Sequence, residues 1–132
     1  MISSPTVALP ATTILWVALG GAIGSALRFA VSDIMRRLPA LASLPWATLF
    51  VNVTGSFVIG WYLRSVVSAD ASPQLRAFIA IGICGGYTTF STFALENAQL
   101  LENGLIARAA VYAIASVTLS IGATFLGYAV AR

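Results

Sequence analysis

The chain has 132 residues, 59% of them hydrophobic and 8% charged, where an average soluble domain carries roughly 25% charged residues. Seven arginines stand against four acids, with no lysine and no histidine, and the resulting net charge of +3 is too small and too dispersed to make a nucleic-acid surface. A single cysteine, no histidine and no paired carboxylates leave no constellation for hydrolytic or metal-cluster chemistry, so the composition is that of a membrane protein and not of an enzyme.

Residues 1–11, with Pro5 and Pro10, read as a loose N-terminal tail ahead of a single four-helix transmembrane domain at 12–132. About 20 apolar residues cross a bilayer, and the charges mark off segments of that length. The first helix is expected near residues 12–32. It lacks the basic start of a signal peptide, and its apolar run continues through Gly20, Gly21 and Gly24 to Arg28, so it reads as a retained helix. Gly20 and Gly24 form a small-xxx-small pair, which lets helix backbones approach closely and is a weak sign of an oligomer.

The 26 uncharged residues between Arg37 and Arg64, among them Pro39 and Pro45, hold the second helix, near 46–63. The third is expected near 74–101, where 19 uncharged residues separate Arg76 from Glu96, and the fourth near 104–130, where 23 residues separate Arg108 from Arg132. Trp16, Trp46 and Trp61 fall near predicted helix ends, where an amphipathic ring suits the headgroup interface.

Polar residues inside such helices are informative, because hydrocarbon offers an unpaired polar group no water. Thr48, Asn52 and Ser56 share one face of the second helix, and Tyr112, Ser116, Ser120 and Thr124 share one face of the fourth. Two readings stay open: the stripes bond across helices as glue, or they line a path for a polar solute. The third helix carries "CGGYTTFSTF", residues 84–93. Its two glycines weaken helix continuity, and Thr88 and Thr89 can bond backbone groups locally, so an unwound turn near the middle of that span competes with a continuous, closely packed helix. Carbonyls freed at membrane depth need partners, and a cation held by carbonyl oxygens is one solution.

With four crossings both termini share one side. Arg64, Arg76 and Arg132 then lie on that side and Arg36, Arg37 and Arg108 on the other, three against three. Orientation follows arginine and lysine asymmetry, so one orientation set by weak cues and a dual topology with antiparallel pairing both stay open.

"GGYTTFSTF" with Glu96 following, "WATLFVNVTGSFVIG" on the second helix, "GGAIGSALRF" on the first and "YAIASVTLS" on the last resemble, in this order and spacing, the Fluc, or CrcB, family of fluoride channels. The likeness covers nearly the whole chain after the tail. It implies an antiparallel, dual-topology homodimer in the lipid of the cytoplasmic (inner) membrane, with two pores and a structural sodium ion at the dimer centre. Passive export of fluoride, and with it fluoride resistance, is the implied role. By position, the resemblance implies that the Gly85 and Thr88 carbonyls hold sodium, that Phe90 and Phe93 are the pore phenylalanines, and that Asn52 is the pore asparagine. Tyr112, Ser116 and Ser120 correspond to the polar track, Arg28 to the arginine of the first helix, and Glu96 to the acid after the break. The chain departs from the pattern in its Pro-containing tail and in Thr54, Gly55 and Ser56, where members often carry a run of glycines.

Physical chemistry is consistent with that implication. A pore for a small, strongly hydrated anion must replace water with donors, such as the Asn52 amide and the hydroxyls of Tyr112, Ser116 and Ser120. Phe90 and Phe93 are three residues apart and could turn positive ring edges to an anion, although buried aromatics otherwise read as core packing. Arg28 reads either as an anion attractor at a pore entrance or as a snorkelling side chain. Glu96 would repel an anion and reads as structural, and Cys84 as a small buried hydrophobe. The Gly85-Gly86 pair lacks the lysine and the strand-to-helix setting of a phosphate cradle, so no ATP coupling is visible. The rival is a small multidrug-type proton antiporter, which calls for an acid within the first helix, where this chain has Arg28.

Overall fold

The computed structural model describes residues 10–39, 43–67 and 71–131. Residues 1–9, most of the expected tail, and Arg132, which entered the arginine balance, lie outside the described residues. The elements in chain order are α1 (Ala11–Arg36), α2 (Trp46–Val67), α3 (Pro73–Arg76), a π-helical segment (Ala77–Cys84), α4 (Gly85–Tyr87), α5 (Phe90–Glu102) and α6 (Ile106–Val130). Four segments are long and apolar enough to cross a membrane: α1, α2, the run Pro73–Glu102 and α6. The four expected helices are present, and the third is broken.

Local chemistry sets the ends of these elements. Ser72 caps α3 by accepting the Leu75 amide at 3.2 Å, with Pro73 at the first helical position, where its missing N–H costs nothing. Between α5 and α6, Gly104 adopts φ 72°. Its amide reaches the Leu101 carbonyl at 2.9 Å and the Leu105 amide reaches Leu100 at 2.9 Å, a Schellman turn that only a residue without a Cβ forms cheaply. Past the expected end of the first helix, Arg37 pairs with Asp33 at 2.7 Å across one turn.

The bundle pairs α1 with the third span and α2 with α6. In lipid there is no hydrophobic drive between apolar helices, so close backbone contact supplies the association. Gly20 and Gly24 of α1 meet the backbone of the third span directly: a Cβ on Gly20 would run into the Phe78 carbonyl, and one on Gly24 into that of Ile83. From the other side, a Cβ on Gly82 would lie 2.8 Å from the Gly20 Cα, and one on Gly86 2.6 Å from the Gly21 carbonyl oxygen. The small-xxx-small pair is therefore taken up inside the chain, which corrects its reading as a sign of an oligomer. The other pair is close at Gly127, where a Cβ would lie 2.6 Å from the Trp61 amide.

The break falls at residues 88–89 and not at the glycines. Gly85 is helical at φ −65°, ψ −37°, whereas Thr88 (φ −79°, ψ 158°) and Thr89 (φ −151°, ψ 117°) are extended. The reason is that Gly86 must stay helical to seat on Gly21, while β-branched threonines accept extended backbone readily. Thr88 closes the helix behind it: its amide and its hydroxyl both donate to the Cys84 carbonyl, at 3.0 and 2.9 Å.

Candidate functional site

Two side-chain devices hold the extended turn. Asn52, on α2, accepts the Thr89 amide on Oδ1 at 2.7 Å and donates Nδ2–H to the Thr89 carbonyl at 3.0 Å. It grips both peptide groups of one residue, as a neighbouring strand would. The Thr89 hydroxyl caps α5 by accepting the Thr92 amide at 3.2 Å. Together they redirect donors. In an uninterrupted helix the Thr89 amide would serve the Gly85 carbonyl and the Thr92 amide the Thr88 carbonyl; here they go to Asn52 and to Thr89 Oγ1. Both carbonyls implied as sodium ligands thus lose their helical donors, as the Gly86 and Tyr87 carbonyls of the same turn do, and such hard, neutral oxygens suit a small cation. Among the described residues no group of three or more His, Cys, Asp or Glu side chains could hold a metal instead.

Beside the break lies an open groove of about 340 Å³ between α2, α6 and the third span. Asn52 and Ser56 line it from α2, Gly85 and Thr88 from the third span, Phe90 and Phe93 from α5, and Ser116 and Ser120 from α6. The ring centroids of Phe90 and Phe93 are 5.5 Å apart, and Phe90 is 77% exposed in the single protomer. Ser116 is buried, and its Oγ has no hydrogen-bond partner among the described residues. Of the two Nδ2 hydrogens of Asn52, one goes to Thr89, which leaves one donor. The groove therefore combines an unpaired hydroxyl, a spare amide N–H and two aromatic rings.

Under the groove a second cluster ties three helices together. Glu96 on α5 accepts from Thr48 on α2 at 2.8 Å through Oε1 and from Tyr112 on α6 at 2.6 Å through Oε2. Hydroxyl-to-carboxylate bonds of this length are the strong kind. Tyr112 is 1% exposed, and the ring of Phe93 packs on it at 5.3 Å. The acid that reads from sequence as structural is the node of this cluster.

The structure brings together Asn52, Phe90, Phe93, Ser116, Ser120, Gly85 and Thr88 in one lining. Tyr112 is not in that lining, and its proton is donated to Glu96, so the phenol offers the groove no donor. Arg28 lies elsewhere too, in a smaller hollow with Ser25, Ser32, Arg36, Thr48, Thr89 and Thr92 on the far side of Thr89. The two polar stripes converge: Thr124 Oγ1 donates to the Ser56 carbonyl at 3.2 Å, so glue and lining are both present. Sequence reasoning missed Thr48 as a partner of Glu96 and Thr89 as a cap. The signal for the cap was there in Thr89-x-x-Thr92 after a helix-weakening pair.

Residues 15–128 match a family model described as "CrcB-like protein, Camphor Resistance (CrcB)". The chain is 47% identical to the "Fluoride-specific ion channel FluC 1" of Nitrobacter hamburgensis over 92% of its own length and 96% of the relative's. It is 48% identical to a "Fluoride-specific ion channel FluC" of Rhizobium meliloti over 90% and 95%, and 44% identical to one of Thermus thermophilus over 86% and 90%.

Proposed function

The chain belongs to the CrcB family, and from that premise we propose that it is a fluoride-selective ion channel, lying in the cytoplasmic membrane as an antiparallel homodimer and letting fluoride leave the cell passively. The observation that carries the reading is the Ser116 hydroxyl, buried and unpaired in the lining of a groove that also holds Asn52, Phe90 and Phe93. A buried polar hydrogen without an acceptor costs about 1–3 kcal/mol, and an anion in the groove would supply that acceptor. Asn52 adds its spare N–H, and the phenylalanines add positive ring edges, individually weak but free of competing water. A family of fluoride channels and an α1 that carries Arg28 and no buried acid do not suit a proton antiporter.

A groove with Asn52, Ser116 and Ser120 open on one side is poorly suited to lipid. A second copy would cover it, and the exposed Phe90 ring and the open space over Gly85 support that arrangement. In such a dimer the Gly85 and Thr88 carbonyls would hold a sodium ion, which when bound supplies fixed positive charge at the centre of the assembly. Weak-acid entry of hydrogen fluoride traps the anion inside, and the membrane potential favours anion exit by about 2.3 kcal/mol per 100 mV. A selective passive pore is then sufficient for fluoride resistance.

The test is efflux from liposomes containing purified protein, read with a fluoride electrode, with chloride as the control anion. Fluoride flux without chloride flux is expected. Phe90→Ile and Phe93→Ile keep bulk and remove the ring edge, so each should still elute as a folded dimer, with a stability change under about 1.5 kcal/mol, while most fluoride flux is lost. Full flux in both folded variants would return these rings to ordinary packing.

A further inference from the structure

We infer that Asn52, besides lining the pore, is a positioning residue for the cation site: by taking the Thr89 amide it keeps the Gly85 carbonyl free to bind the ion. The inference rests on the reading of Gly85 and Thr88 as the cation's ligands. An amide at membrane depth must find an acceptor. Thr89 has two within reach of a local rearrangement, the side chain of Asn52 across the helix interface and the Gly85 carbonyl one turn back. The first holds the turn extended; the second would wind the third span into a continuous helix and consume the Gly85 oxygen. Asn52 decides between them because it holds both peptide groups of Thr89, at 2.7 and 3.0 Å, and winding the turn would break both bonds.

The parallel device at the other carbonyl is local, since Thr89 Oγ1 takes the Thr92 amide within α5. Asn52 differs in coming from another helix, α2, and in having a remaining N–H at the groove. One side chain thus touches the pore through its free hydrogen and the cation site through the bond that it diverts. Any ligand effect transmitted through such a shared group would be reciprocal.

The experiment is a sodium titration of thermal unfolding in detergent, with N-methylglucamine holding ionic strength constant, on the wild type, Asn52→Leu and Asn52→Asp. The wild type should gain stability with sodium and saturate. Asn52→Leu removes the acceptor and should raise the half-saturating sodium concentration about tenfold, as expected for unmaking one buried hydrogen bond. Asn52→Asp keeps an oxygen for the Thr89 amide and should titrate within about threefold of the wild type, while losing fluoride flux in liposomes because its donor is gone. If the leucine variant aggregates, Asn52→Ala takes its place. Equal sodium midpoints in the wild type and in the variant without an acceptor would overturn this role of Asn52 and leave the cation reading intact. A midpoint for Asn52→Asp displaced as far as that of Asn52→Leu would overturn it as well. A wild type indifferent to sodium would overturn the cation reading and this inference together.

Discussion

The third span is held on its two sides by opposite means. Toward α1 it presents Gly82 and Gly86 to Gly20, Gly21 and Gly24, and the contact is backbone on backbone. Toward α2 and α6 it presents Thr89 and Glu96, and the contact is a set of bonds from Asn52, Thr48 and Tyr112. One face tolerates any chemistry that adds no volume. The other tolerates changes of volume better than the loss of a donor or acceptor. Both follow from hydrocarbon as solvent, which rewards close packing and punishes unpaired polar groups.

The sharpest way to break the glycine face is Gly24→Val. Its Cβ has to displace the Ile83 backbone, which is covalently tied into the π-helical segment, so a loss of about 3 kcal/mol or more is expected. The protein should fail to yield a monodisperse peak in detergent. A well-folded Gly24→Val variant would show that the interface yields.

On the polar face, Glu96→Ala leaves the Thr48 and Tyr112 hydroxyls without their carboxylate partner and should cost about 2–6 kcal/mol in thermal unfolding, at roughly 1–3 kcal/mol for each orphaned group. Removing the partners as well separates chemistry from volume. Glu96→Met with Thr48→Val and Tyr112→Phe should recover most of that loss, because an apolar cluster of similar shape has nothing left to satisfy. A triple variant no more stable than Glu96→Ala would mean that the cluster is held by packing after all.

The smallest effect on the protomer belongs to Gly85. It stands next to Gly86 in the same helical turn, yet a Cβ there meets nothing within 4 Å. Gly85→Ala should leave the protomer intact or raise its stability by about 0.5–1 kcal/mol through helix propensity. If the dimer centre lies on that face, cross-linking in membranes should nevertheless show less dimer. An unchanged dimer fraction would move the interface elsewhere.

Much of this arrangement was legible in the residues. Charge spacing gives the four spans, and glycine and threonine chemistry gives a break within a few residues of its place. The period of four that aligns Thr48 with Asn52 and Tyr112 with Ser116 marks the faces that meet. What was not legible is pairing across helices. Nothing near Gly20 says that its partner is Phe78 and not a second copy, and nothing near Glu96 points to Thr48, 48 residues before it. The residues at which that span breaks were not legible for the same reason, since Gly86 is kept helical by a contact with Gly21 that only the fold supplies. Tyr112 likewise offers a donor on paper, until the fold sets a carboxylate 2.6 Å away.

The π-helical run at Ala77–Cys84 acts on all of this as a matter of phase. Each of its turns closes on the fifth residue where an α-helix closes on the fourth, so it sweeps less angle per residue than the roughly 100° of an α-helix. Gly82, on the α1 side, and Thr89, on the α2 side, are in step because of how many residues lie in this run, whatever their identity. Deleting one residue there, with the wide turns kept, would rotate everything that follows by somewhat less than the roughly 100° that one α-helical residue sweeps. Gly86 would leave α1 and Thr89 would leave Asn52 in the same movement. The count of residues between Arg76 and Gly85 is in this sense a coded quantity of the sequence, sensitive to insertion and deletion in its own right.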